Sequence, residues 1–188
     1  MIITIALICI ILFLVLILGL FIIFYNKFQV LRNGAEAGLS QIKVALKKRL
    51  DMISQLVEIV KSYAKFEREV FENITRLRSS IGEITHPQDI NKINNESKRI
   101  LNNLIAVVES YPNLKASDNV KDLMNAITEV EDEIARQRYT YNNIVQDYNT
   151  RVSSIPSNFV AKIFSFKKIE YLEFEEDVNK KPDTAWNK

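Results

Sequence analysis

Turn-forming residues are scarce in this chain: four glycines and four prolines serve 188 residues. Sandwiches, barrels and α/β folds need frequent tight connections, so the shortage argues against them and for a few long helices. The one cysteine, Cys9, has no partner in the sequence for an intramolecular disulfide, and cysteine usage leaves the redox compartment unread. Histidine is equally rare. A ferritin-like two-metal bundle needs two Glu-x-x-His motifs on separate helices, and this chain has only Glu83 to His86. That motif stops just before Pro87, at a helix end, so His86 is expected to cap or to face solvent. No metal site follows from it. Neither sign of charge is in short supply: 25 basic residues stand against 23 acidic ones, which implies no nucleic-acid partner.

Charge is missing locally, and there completely, from Ile2 to Phe24. At ~1.5 Å per residue this run makes roughly 35 Å of helix, enough to cross a hydrocarbon core of about 30 Å. A cleaved signal peptide fits poorly, because no basic n-region precedes the run and no A-x-A stands before Lys27. The expectation is a retained single-pass anchor whose residues 2–24 contact membrane lipid. Lys27 and Arg32 follow the run and no basic side chain precedes it, which places the C-terminal domain in the cytoplasm. Phe21, Phe24, Tyr25 and Phe28 form an aromatic interface belt.

From Leu39 the apolar residues recur at alternating spacings of three and four: Ile42, Leu46, Ile53, Leu56, Val60, Tyr63, Val70, Ile74, Leu77 and Ile81. Arg49 and Glu67 are the two charges on this seam. Leu50, Val57, Ala64 and Phe71 widen it beyond a two-stranded coiled coil, as suits a helix inside a bundle. The pattern predicts one helix from Leu39 to Ile81, roughly 65 Å long, with Gly34 and Gly38 as points where it can bend. Pro87 opens a second helix, about Gln88 to Ser110, with Thr85 or His86 as cap. "YPNLKASD" reads as a loop. A third helix runs from Ser117 or Asp118 to about Ser154, with Tyr141 and Tyr148 one heptad apart on its apolar stripe. Asn158 caps a short fourth helix over 159–164.

The architecture expected is therefore all-α: an N-terminal transmembrane helix, then an antiparallel bundle of three long helices plus a short C-terminal one. The segments are an anchor with its interface at 1–26, the bundle at 27–178, and a polar, disordered tail at 179–188. Tyr63, Tyr141 and Tyr148 are expected as core aromatics whose hydroxyls need partners. The asparagines beside the last two stand ready to satisfy groups at helix ends. Arg49 on the seam requires an acidic or carbonyl partner, for which Glu129, Glu131, Asp132 and Glu133 are candidates. With Arg49, the residues Lys47, Lys48, Asp51 and Lys61 form a polar layer or an interaction surface.

No catalytic set emerges. There is no phosphate-binding Gly-rich loop, no nucleophile elbow, and nothing that selects an acid–base pair from the 23 carboxylates. The reading is not an enzyme, with no cofactor and no small-molecule substrate identified.

Taken together, Tyr25-Asn26, "SQIKVALKKRLDMISQLVEIVKSYAKFE" (40–67), "YPNLKA" (111–116), "EDEIARQRYTYNNIVQDYN" (131–149) and "IPSNFVAKIFSF" (155–166) resemble the LemA family of bacterial membrane-anchored helical bundles. Three positions depart from the family's pattern: Leu39 stands where Trp is common, Asp132 where Asn is usual, and Ser165 where Gly precedes Phe166. The resemblance implies a single-pass anchor, a long-helix bundle and no established enzymatic activity. Some relatives look involved in organising intracellular membranes. The function expected is a non-enzymatic, membrane-tethered scaffold or adaptor with a protein partner or self-association. The alternative is a lipid-binding or membrane-organising protein.

Overall fold

The computed structural model describes residues 1–63, 68–84 and 86–173, and every regular element among them is an α-helix. The helices are α1 (Ile2–Val60), α2 (Arg68–Glu83), α3 (Pro87–Ser110), α4 (Pro112–Ala116), α5 (Asp118–Ser153) and α6 (Ser157–Ile163). The polar tail expected over 179–188 lies outside the described residues. So do the seam residue Glu67, Ala64 in the row beside it, and Thr85, the alternative cap of the second helix.

α1 is continuous from the apolar run through Gly34 and Gly38 into the amphipathic stretch. It stops earlier than the periodicity predicts. The expected helix to Ile81 is broken after Val60, where the chain tightens: Tyr63 N–H donates to the Val60 carbonyl at 2.9 Å, an i→i+3 bond. The Ser62 hydroxyl donates to the Ile59 carbonyl at 3.0 Å. These bonds satisfy carbonyls that a longer helix would have used. The apolar spacing resumes in α2, so the seam survives the break.

α3 begins where Pro87 allows. His86 is extended, its N–H donates to Asp89 Oδ2 at 3.3 Å, and Pro87 occupies a first-turn position that needs no donor. "YPNLKASD" is not wholly a loop. Tyr111 is extended, Pro112 starts the short α4, and Leu114 buries its side chain there. α6 starts earlier than predicted, at Ser157, with Pro156 and not Asn158 at its N-cap position.

The chain divides into two compact units. The first holds residues 1–45 and 129–170. Its core is Phe28, Leu31, Tyr148, Val160 and Ala161, with Phe21, Phe24, Tyr25 and Phe166 packed around it. Phe28 and Tyr148 meet edge to face at 5.6 Å, and Phe28 stacks on Phe166 at 4.8 Å. Gly34 faces Ile144, and Gly38 faces Tyr141. The second unit holds, among the described residues, those of 46–128 and 171–173. Its interior is built from Leu46, Leu50, Ile53, Leu56 and Val57 of α1, with Ile74 and Leu77 of α2 and Ile90, Leu101 and Leu104 of α3. Arg76 of α2 and Glu96 of α3 pair at 3.1 Å on its outside.

Candidate functional site

Two polar constellations stand out, one in each unit. In the second unit Arg49 is fully buried. Its Nη2 donates to the Asn94 carbonyl at 3.0 Å, to Asn94 Oδ1 at 3.1 Å and to the Ser97 hydroxyl at 2.5 Å. The Ser97 hydroxyl also donates to the Ile93 carbonyl. These three bonds run to neutral groups on α3. A single side chain on the α1 seam is answered by an Asn and a Ser one turn apart on a facing helix, a geometry that pins helix register. Ser97 and Asn94 left a faint sequence signal: with Asn91 they are the polar residues that interrupt the apolar side of α3.

The other candidate residues do not assemble around Arg49. Lys47 and Lys48 are exposed on α1. Asp51 is half-buried and pairs with Arg78 of α2 at 2.9 Å. Lys61 is exposed in the turn after α1 and pairs with Glu58. Tyr63, expected in the core, is 46% exposed, because α1 ends three residues before it and the turn swings its ring outward. That ring lies 6.1 Å from the ring of Tyr111.

In the first unit Tyr141 and Tyr148 are each 2% exposed on α5. Here the Tyr-Asn repeats act on the segment after α6. Asn149 Nδ2 donates to the Ile169 carbonyl at 2.8 Å, and Ile169 N–H donates to Asn149 Oδ1 at 2.9 Å. The Tyr141 hydroxyl donates to the Glu170 carbonyl at 3.0 Å. The segment at 167–170 is neither helix nor strand, so a side-chain amide supplies the paired donor and acceptor that a neighbouring strand would provide. Burial pushes the Tyr141 phenol up to about 12, and the Glu170 carboxylate adds to the rise. Tyr148 is raised by burial too, partly offset by the Arg32 guanidinium. Tyr141, bonded to the Glu170 carbonyl, and Asn149, bonded to both sides of Ile169, describe a clamp on this segment.

The turn out of α6 completes this arrangement. Phe166 N–H donates to the Ala161 carbonyl at 2.8 Å and Ser165 N–H to the Lys162 carbonyl at 3.3 Å, the two bonds of a Schellman cap. Ser165 sits at the left-handed position of that cap, with φ of 55°. His86 is exposed, and no cluster of three metal-ligating side chains occurs among the described residues.

A family model described as the LemA family matches residues 38–186. The chain belongs to the LemA family. Among its relatives are two magnetosome proteins. MamQ 1 of Paramagnetospirillum magneticum is 25% identical over 175 residues, 79% of this chain and 64% of its own length. MamQ of Magnetospirillum gryphiswaldense is 25% identical over 173 residues, 78% of this chain and 64% of its own. Protein LemA of Metamycoplasma hominis is 28% identical over 181 residues, 88% of this chain and 81% of its own. The chain thus spans just under two thirds of the magnetosome proteins it matches. Of the three departures from the LemA pattern, Leu39 is half-buried on α1 and Asp132 is exposed on α5. Ser165 occupies a backbone position that glycine adopts freely.

Proposed function

We propose that this LemA-family chain is a non-enzymatic scaffold or adaptor, tethered to the bacterial cell membrane by residues 2–24, with its helical bundle on the cytoplasmic side. The observation that carries this reading is how the buried polar groups are used. Arg49 is taken up by Asn94 and Ser97, and Tyr141 and Asn149 by the backbone at 169–170. Such groups hold the bundle rather than await a substrate. The anchor is supported by α1, whose N-terminal half is long and apolar enough to cross a membrane and keeps its side chains exposed. An antiparallel bundle is supported by the contacts of the first unit. As α1 advances through Phe28, Gly34 and Gly38, its α5 neighbours recede through Tyr148, Ile144 and Tyr141.

Lys47 and Lys48, with Asp51 beside them and Lys61 further along, form the surface assigned to a partner. Photoreactive residues at 47, 51 and 61 in intact membranes, followed by mass spectrometry, test it. A recurrent protein crosslink is expected. Crosslinks confined to lipid, or turnover by the purified chain that a single buried polar substitution abolishes, would remove the adaptor reading.

A further inference from the structure

α6 is apolar on both sides. Val160 and Ala161 face the core of the first unit, while Phe159 is 58% and Ile163 63% exposed, with Ile155 just before the helix at 77%. A surface patch of this kind calls for a cover. Its place in the fold says what the cover is. Pro156, Phe159 and Ile163 form one wall of a groove of about 410 Å³ whose other wall is Ile17, Phe21 and Phe24 of α1. Those α1 residues belong to the last two turns of the charge-free run, about 12 Å of helix. A groove whose wall is the membrane span itself lies at the depth of the acyl chains' outer half.

Just beyond it along α1, a second hollow of about 400 Å³ is lined by Tyr25, Gln29 and Arg32 together with Phe164, Ser165 and Lys167. Tyr25 and Phe164 join the two, with ring centroids 4.7 Å apart. The character of the lining changes where a lipid's does, from wholly apolar to aromatic and then to cationic. From residue 155 to 169 every charged side chain is basic, Lys162, Lys167 and Lys168, all exposed; the exposed Glu170 follows directly, and Arg32 also pairs with Glu36 at 3.3 Å. Basic side chains at the headgroup level match an anionic surface.

We propose that α6 and the end of the apolar run form a second membrane contact, a groove that takes an acyl chain of an anionic phospholipid while Arg32 and Lys167 face its phosphate. The chain is then held by a spanning helix and an interfacial one together, and the Asn149–Ile169 clamp fixes the segment carrying Lys167 and Lys168. The proposal rests on the reading of residues 2–24 as a membrane span.

The test uses the full chain in nanodiscs of phosphatidylcholine with phosphatidylglycerol, with Trp186→Phe as background. Single tryptophans are placed by Phe159→Trp, Phe13→Trp and Tyr139→Trp, and quenching by lipids brominated along the acyl chain is read. Positions 13 and 159 are expected to be quenched and position 139 spared. Quenching at 13 with position 159 behaving like 139 would leave the anchor standing and overturn the α6 contact. Absence of quenching at 13 would overturn both. For the headgroup, native mass spectrometry of the parent and of an Arg32→Gln, Lys167→Gln double variant compares retained phosphatidylglycerol. A several-fold drop is expected with unchanged helicity. Equal retention would overturn the phosphate assignment. Both side chains are exposed in the fold, so the variant is expected to fold.

Discussion

Tyr148 shows how much one side chain holds in this bundle. Its ring is buried, meets Phe28 edge to face, and belongs to the same cluster as Val160 and Ala161. Tyr148→Ala removes the ring from a site where three helices converge, and a cost of about 3 kcal/mol or more is expected. Chemical denaturation of the detergent-solubilised chain measures it. A loss below ~0.5 kcal/mol is the range of an exposed residue and would refute the packing role. Tyr141 makes a different prediction, because its burial is coupled to a proton. Below pH about 10 both folded and unfolded chains keep the phenol protonated. Between 10 and about 12 the unfolded chain releases the proton while the folded one retains it, so the stability present below pH 10 is lost across that window. Spectrophotometric titration should therefore show a late tyrosinate that Tyr141→Phe abolishes.

At the scale of an element, the ends of helices decide more than their middles. α1 ends at Val60 because Ser62 and the Tyr63 amide satisfy its last carbonyls, and α3 starts at Pro87 because proline needs no donor there. α6 ends in a Schellman cap with serine in the left-handed position. A side chain at that φ costs of the order of 1 kcal/mol relative to glycine. Ser165→Gly is therefore expected to raise stability by about that amount. The gain should be visible as a higher Tm of the full chain, with the Ala161–Phe166 bond preserved. A fall in Tm would mean that the serine hydroxyl contributes something the cap geometry does not account for.

For the whole molecule, the consequence of one long α1 is that the apolar run and the amphipathic stretch share a single helix. Phe21 and Phe24 of the apolar run pack on the core cluster that contains Tyr148 and Val160, so the end of that run is part of the first unit's packing. Orientation can be tested with the chain's own chemistry. Cys9 lies within the apolar run and is its one thiol. A cysteine placed at the exposed Tyr139 should resist a membrane-impermeant maleimide in intact cells and react after lysis. Labelling in intact cells would put the bundle on the outer side and remove the cytoplasmic scaffold reading.

What the sequence determined by itself was everything that depends on near neighbours. The apolar run, the three-four seam, the start of α3 at Pro87 and the start of α5 at Asp118 are set by spacings of a few residues, which the chain carries along its length. The family's residue pattern was legible for the same reason. Tertiary structure alone decided the partners of polar groups. Arg49 found Asn94 and Ser97 forty-five and forty-eight residues away. Asn149 clamped a backbone twenty residues on. Nothing in local spacing distinguishes these from any other polar pair, because a buried donor bonds to whichever acceptor the packing of helices brings within about 3 Å. The break after Val60 belongs to the same class. The apolar period runs through it undisturbed, and only the competition between continuing the helix and closing it with Ser62 and Tyr63 ends α1 where it does.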